Sequence, residues 1–146
     1  MDFDFYENNC KNIIETNNQL LALFEEDLVQ AGLASKTISR HLSNVDFYIN
    51  TYLLREDACS MEYGVSMIDG FLGDFFIRKC MWSTPGNIKS TATSIKKFYK
   101  SMLGHGKITK RDFDHLCSEI KNDMETWQMN CEIYNDPDSP NPFYFF

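Results

Sequence analysis

Proline is the residue this sequence withholds. Three of its four prolines stand at 137, 140 and 142, so the first 135 residues contain only Pro85. Proline removes a backbone donor and breaks helix interiors, and here it is nearly absent from a long stretch. Only seven glycines accompany it. Few breakers favour long helices, and apolar residues recur at the spacing of helices buried on one side. The expected fold class is all-α, a compact bundle of about five helices over residues 1–135. An irregular tail rich in proline and aromatic residues fills 136–146.

The first helix is expected from about Asn9 to Ala31, with Ile13, Leu20, Phe24, Leu28 and Ala31 near one face. Gly32 supplies a left-handed cap, and Leu33 can fold back on the helix end. A second helix should start with Ser35 as its N-cap and run to about Leu54, burying Ile38, Leu42, Val45, Ile49, Tyr52 and Leu53. A third covers roughly Val65 to Lys79, with Val65, Ile68, Leu72, Phe75 and Phe76 inward. Gly70 and Gly73 are its weak spots or close-packing points. Ser83 or Thr84 opens the fourth, with Pro85 in its first turn. Its core face is Ile88, Ala92, Ile95, Tyr99 and Met102, and Gly104 and Gly106 end it. Thr109 caps the fifth, with Asp112 completing a short capping box. Phe113, Leu116, Cys117, Ile120, Met124, Trp127 and Cys131 line one side of that helix.

A chain of 146 residues, 43% apolar and with twelve Phe, can bury a core without metal or disulfide. Its five cysteines are odd in number and lack the close pairing of zinc sites. Free thiols in a reducing compartment are the simplest reading. The acidic start MDFDFYENN is unlike a signal peptide, and no apolar run approaches a bilayer span. The expectation is therefore a cytoplasmic protein with no membrane partner. No histidine pair, phosphate loop or nucleophile elbow is present, so neither an enzyme nor a cofactor is expected.

Charge is segregated. Residues 75–111 contain nine Lys or Arg and no Asp or Glu, while the rest of the chain holds five basic and 21 acidic side chains. The local field, not the net charge of −7, governs encounter with a polyanion. On the fourth helix Lys89, Thr93, Lys96, Lys97 and Lys100 form one stripe with no carboxylate four residues away. That row suits a run of phosphates. It also suits a solvated face, or one docked on the chain's own acidic helices. Asn87, Ser90 and Ser94 extend the polar surface. The second helix adds Ser35, Lys36, Thr37 and Arg40 in its first turns, where helix N-termini favour phosphate oxygens. Phe47 on its outer side is buried by another helix or makes an exposed contact.

Residues 20–54, with the string Gly32-Leu33-Ala34-Ser35-Lys36-Thr37-Ile38, resemble the start of the core-binding domain of tyrosine recombinases (phage-integrase type). Residues 68–109, with a Ser-Ile-Lys-Lys-Phe-Tyr helix and a glycine-terminated end, resemble its second half. That resemblance covers roughly residues 15–110. It implies a SAM-like helical domain whose second and fourth helices approach duplex DNA. The residues it carries over are Ser35, Lys36, Thr37, Arg40, Asn87, Lys89, Ser90, Lys96 and Lys100, to which the stripe itself adds Lys97. The family's H-x-x-R string is missing, and too little follows residue 111 for its catalytic domain. The resemblance thus implies DNA binding without recombination chemistry, an accessory or regulator in a mobile element. The alternative is a protein-interaction or self-assembly module on the same scaffold. Such a module would use the acidic surface or the aromatic end Phe143-Tyr144-Phe145-Phe146, which could also pack on the chain's own body.

Overall fold

The computed structural model describes residues 3–80, 83–139 and 141–143, and no β-strand occurs among them. Five helical stretches follow one another. α1 spans Phe3–Gln30, and α2 spans Ser35–Asp46 before loosening into a π-helical turn over Phe47–Tyr52. A 3-10 turn at Met61–Ser66 leads into α3, which is composite: Ile68–Gly70, a π segment at Phe71–Phe75, then Phe76–Lys79. α4 is Pro85–Gly104 and α5 is Lys110–Asn135. The chain is all-α. No helix of the described residues is long and apolar enough to cross a membrane.

Helix boundaries follow from capping chemistry. Gly32 takes φ +82°, and Leu33 N–H returns to the Leu28 carbonyl at 3.3 Å, closing α1 in the left-handed manner only glycine adopts cheaply. That turn leaves Ala34 extended with its carbonyl accepting from Ile38 N–H, so Ala34, not Ser35, is the N-cap of α2. Thr84 caps α4 by accepting from Asn87 N–H at 3.1 Å. Thr109 and Asp112 exchange a reciprocal capping box at the head of α5. α1 starts earlier than expected, at Phe3, because Tyr6 O–H donates to the Leu54 carbonyl and ties the first turns to the body.

α4 is the central helix, packed by α5, α2 and α1. Its whole expected core face is buried, and Phe98 joins it, meeting Phe24 of α1 edge-on at 5.5 Å. Each large apolar side chain there, such as Ile88, Ile95, Phe98 or Met102, contributes roughly 1.5–3 kcal/mol on burial. The two π turns have a common cause in aromatic bulk. Tyr48, Tyr52, Phe71 and Phe75 stack in one layer with centroids about 5–6 Å apart, and Phe47 closes it, partly buried against Phe71 and Phe75. Buried Asn17 of α1 donates to the Ile49 carbonyl at 3.2 Å, satisfying a backbone group within the loosened turn. Tyr48 and Tyr99 hydroxyls donate to the Gly64 and Met61 carbonyls of the 3-10 turn. Burial pushes both phenols well above their ordinary range, so they remain donors.

α5 seals the other end. Trp127 is fully buried and donates to Asp69 at 2.7 Å. A Cβ at Gly73 would come within 2.8 Å of the Trp127 ring, which makes this glycine a close-packing point. Beyond Asn135, Asp136 gathers Asp138 N–H and Ser139 O–H into a turn. Phe143 then packs edge-on against Tyr134 at 6.0 Å and under Arg78 at 5.5 Å. That end of the tail folds onto the chain's own body; Tyr144, Phe145 and Phe146 lie outside the described residues. All five thiols are free, and burial raises the pKa of Cys59, Cys80 and Cys131, which leaves them poor nucleophiles.

Candidate nucleic-acid interface

The stripe on α4 follows from its registry. Because α5, α2 and α1 take the apolar face, Lys89, Thr93, Lys96, Lys97 and Lys100 are left exposed. Ser94 is not part of that surface. It lies one position from the stripe but is fully buried, and its hydroxyl joins α2 to α4. Ser94 O–H donates to the Ser90 carbonyl at 3.2 Å. Its oxygen accepts from Asn44 Nδ2 at 3.0 Å and lies 2.7 Å from His41 Nδ1. One proton is shared along the His41 Nδ1–Ser94 Oγ contact, and its direction follows the imidazole tautomer.

This seam sets the relation of the two basic helices. Leu33, just before α2, shares a groove with Lys97, Lys100 and Gly104. Arg40 and Asn44 share a cleft of about 180 Å³ with Asn87, Ser90 and Thr91 over a floor of Phe76. α2 and α4 therefore run antiparallel with their basic groups side by side. Among the described residues no carboxylate lines that cleft. His41, buried between the helices, is held below its ordinary pKa first by burial and then by the charges of Arg40 and Lys97. Cations from both helices thus converge on one buried, neutral imidazole.

Each expected site residue has a definite place. Ser35, Lys36 and Arg40 are exposed on α2, and Thr37 is half-buried in its first turn. Arg40, Asn87 and Ser90 are brought together in the cleft. Lys97 and Lys100 line the neighbouring groove, while Lys89 and Lys96 stand exposed on α4. Among the described residues no ion pair joins Lys36, Arg40, Lys89, Lys96, Lys97 or Lys100 to a carboxylate; the pairs present are elsewhere. Two cations of the basic window are neutralised, Arg78 by Asp74 and Lys110 by Asp114. One acid of α1 does reach the groove: Asp27 lies beside Lys97 and Lys100. It accepts from Ser101 O–H at 2.5 Å and pairs with His105 at 3.0 Å, and the serine bond leads in holding its pKa down.

The seam residues His41 and Asn44 were not expected from sequence. The available signal was position: His41 falls between Ile38 and Val45 on the apolar stripe of α2, so it had to be buried with a partner. No three His, Cys, Asp or Glu among the described residues gather as metal ligands. No family model, curated protein or solved structure matches this chain.

Proposed function

We propose that this chain is a non-catalytic DNA-binding module that engages duplex phosphates through α2 and α4, as the resemblance to recombinase core-binding domains implies. The observation that carries the reading is the antiparallel clasp. It sets Arg40, Asn87 and Ser90 around one cleft, beside exposed lysines, and among the described residues no carboxylate lines that cleft or pairs with those lysines. Lysines held this way neutralise phosphates and release counterions, which supplies affinity without sequence preference. Arg40 and the polar side chains of the cleft add hydrogen bonds that fix orientation. An accessory or regulatory role in a mobile element fits such a non-catalytic module.

Gel-shift titration of duplex DNA with wild type and a Lys96/Lys97/Lys100→Glu variant tests this. The variant should lose at least tenfold in affinity while keeping its helical circular-dichroism spectrum. Equal binding by the two proteins would refute the reading. A protein-interaction module is the alternative, and one feature favours it: a groove of about 440 Å³ between α1 and α2, where Glu25 and Asp46 flank Leu21, Ala22 and Leu42. A basic, amphipathic partner would suit that groove.

A further inference from the structure

The groove between the C-terminal half of α1 and the end of α4 has an apolar floor and a cationic rim. Phe24, Leu28, Ala31 and Leu33 form the floor, Lys97 and Lys100 the rim, and the volume is about 330 Å³. Asp27 also lines it, with its carboxylate engaged by Ser101 and His105. At the opposite end of α1 the surface is the complement. Phe3 and Phe5 are 69% and 60% exposed, and Asp4 and Glu7 are interleaved with them. Aromatic side chains this open to water gain by entering an apolar groove. Carboxylates beside them match the two lysines at the rim.

The two surfaces cannot meet within one molecule. The head and the Phe24–Leu28 side of the groove lie on a single continuous helix, Phe3–Gln30, and about 20 residues at ~1.5 Å each separate them by roughly 30 Å. A second copy has no such restriction. We propose that the aromatic-acidic head of α1, Phe3 to Glu7, docks into the Lys97–Lys100 groove of a second copy of this chain. The contact joins two different patches, so it either closes as a reciprocal pair, each copy's head in the other's groove, or propagates head to groove into rings or chains. It also occupies Lys97 and Lys100, so self-association and polyanion binding compete for the same lysines. The inference stands on the groove and the head alone and does not depend on the DNA-binding reading.

Complementation tests it. Light scattering on purified full chain at low salt should show a mass that rises with concentration above the 17.0 kDa monomer. A head variant, Phe3→Ser/Phe5→Ser, and a groove variant, Lys97→Glu/Lys100→Glu, should each stay monomeric with unchanged helical content. Mixed in equal amounts they should form a species of about twice the monomer mass and no larger, because the intact head of one fits the intact groove of the other and neither can extend further. A wild type that stays monomeric into the millimolar range overturns the proposal. So does self-association that survives both variants, or a mixture that stays monomeric.

Discussion

Ser94→Ala is a one-atom test of the seam that holds α2 on α4. The hydroxyl is fully buried, hydrogen-bonds His41 Nδ1 and accepts from Asn44 Nδ2. Removing it creates almost no cavity but leaves the His41 Nδ1, itself buried, without its hydrogen-bond partner. A buried donor or acceptor left without a partner costs about 1–3 kcal/mol, and the lost Asn44 bond adds about 0.5–1 kcal/mol because that amide is only half-buried and can turn to water. The expected loss is therefore about 2–3 kcal/mol. For a chain of 146 residues this lowers Tm by about 5–10 °C. Urea unfolding should show a shifted midpoint with unchanged slope, since the surface exposed on unfolding is the same. Ser94→Thr keeps the oxygen and should recover part of the loss unless its extra methyl is overpacked. A Ser94→Ala variant within about 0.5 kcal/mol of wild type would refute the reasoning, because it would mean that His41 and Asn44 find other partners.

Three further outcomes follow from the same physics. His41 has a depressed pKa, so the unfolded chain binds the proton more readily. Stability should fall as pH drops below the ordinary value of 6.5, and thermal melts of His41→Gln should show a shallower decline over that range. Glu119 is pushed up by burial and by Asp69 and Asp123, against the pull of His115, so its charged form costs stability above the ordinary value of 4.5. Glu119→Gln should melt higher than wild type at pH 7 and match it near pH 4. Gly73→Ala puts a methyl 2.8 Å from Trp127 and 2.9 Å from Asp69; it should destabilise by about 1–3 kcal/mol and shift Trp127 fluorescence.

Sequence pattern carried the helices well where local chemistry decides them. Gly32, Thr84 with Pro85, and the Thr109–Asp112 box mark ends that the structure shares, and the core face of α4 is as the periodicity requires. It carried them poorly where tertiary packing overrides the local rule. The turns at Phe47–Tyr52 and Phe71–Phe75 loosen because aromatic residues from both must interleave, a pairing that spacing along one helix does not encode. Ser94 illustrates the same limit at the site. A serine beside a lysine stripe reads as surface, and only the approach of His41 and Asn44 from α2 turns it into a buried hub. The exposed lysines themselves were legible, because an amphipathic helix with no carboxylate at i±4 leaves its cations outward. Their alignment with Arg40 was not, since it depends on the antiparallel packing of two helices about fifty residues apart.

The measurement closest to the central claim is the salt dependence of binding to a duplex. Fluorescence anisotropy at ionic strengths from 50 to 200 mM would follow the affinity of the full chain. If about five phosphates are neutralised by the α2 and α4 cations, log affinity falls against log salt with a slope near −4 to −5, a loss of about 10²–10³-fold across that range. Removing Lys96, Lys97 and Lys100 should flatten the slope by about three. Absence of binding at 50 mM salt, or a slope unchanged by the three substitutions, would contradict the account.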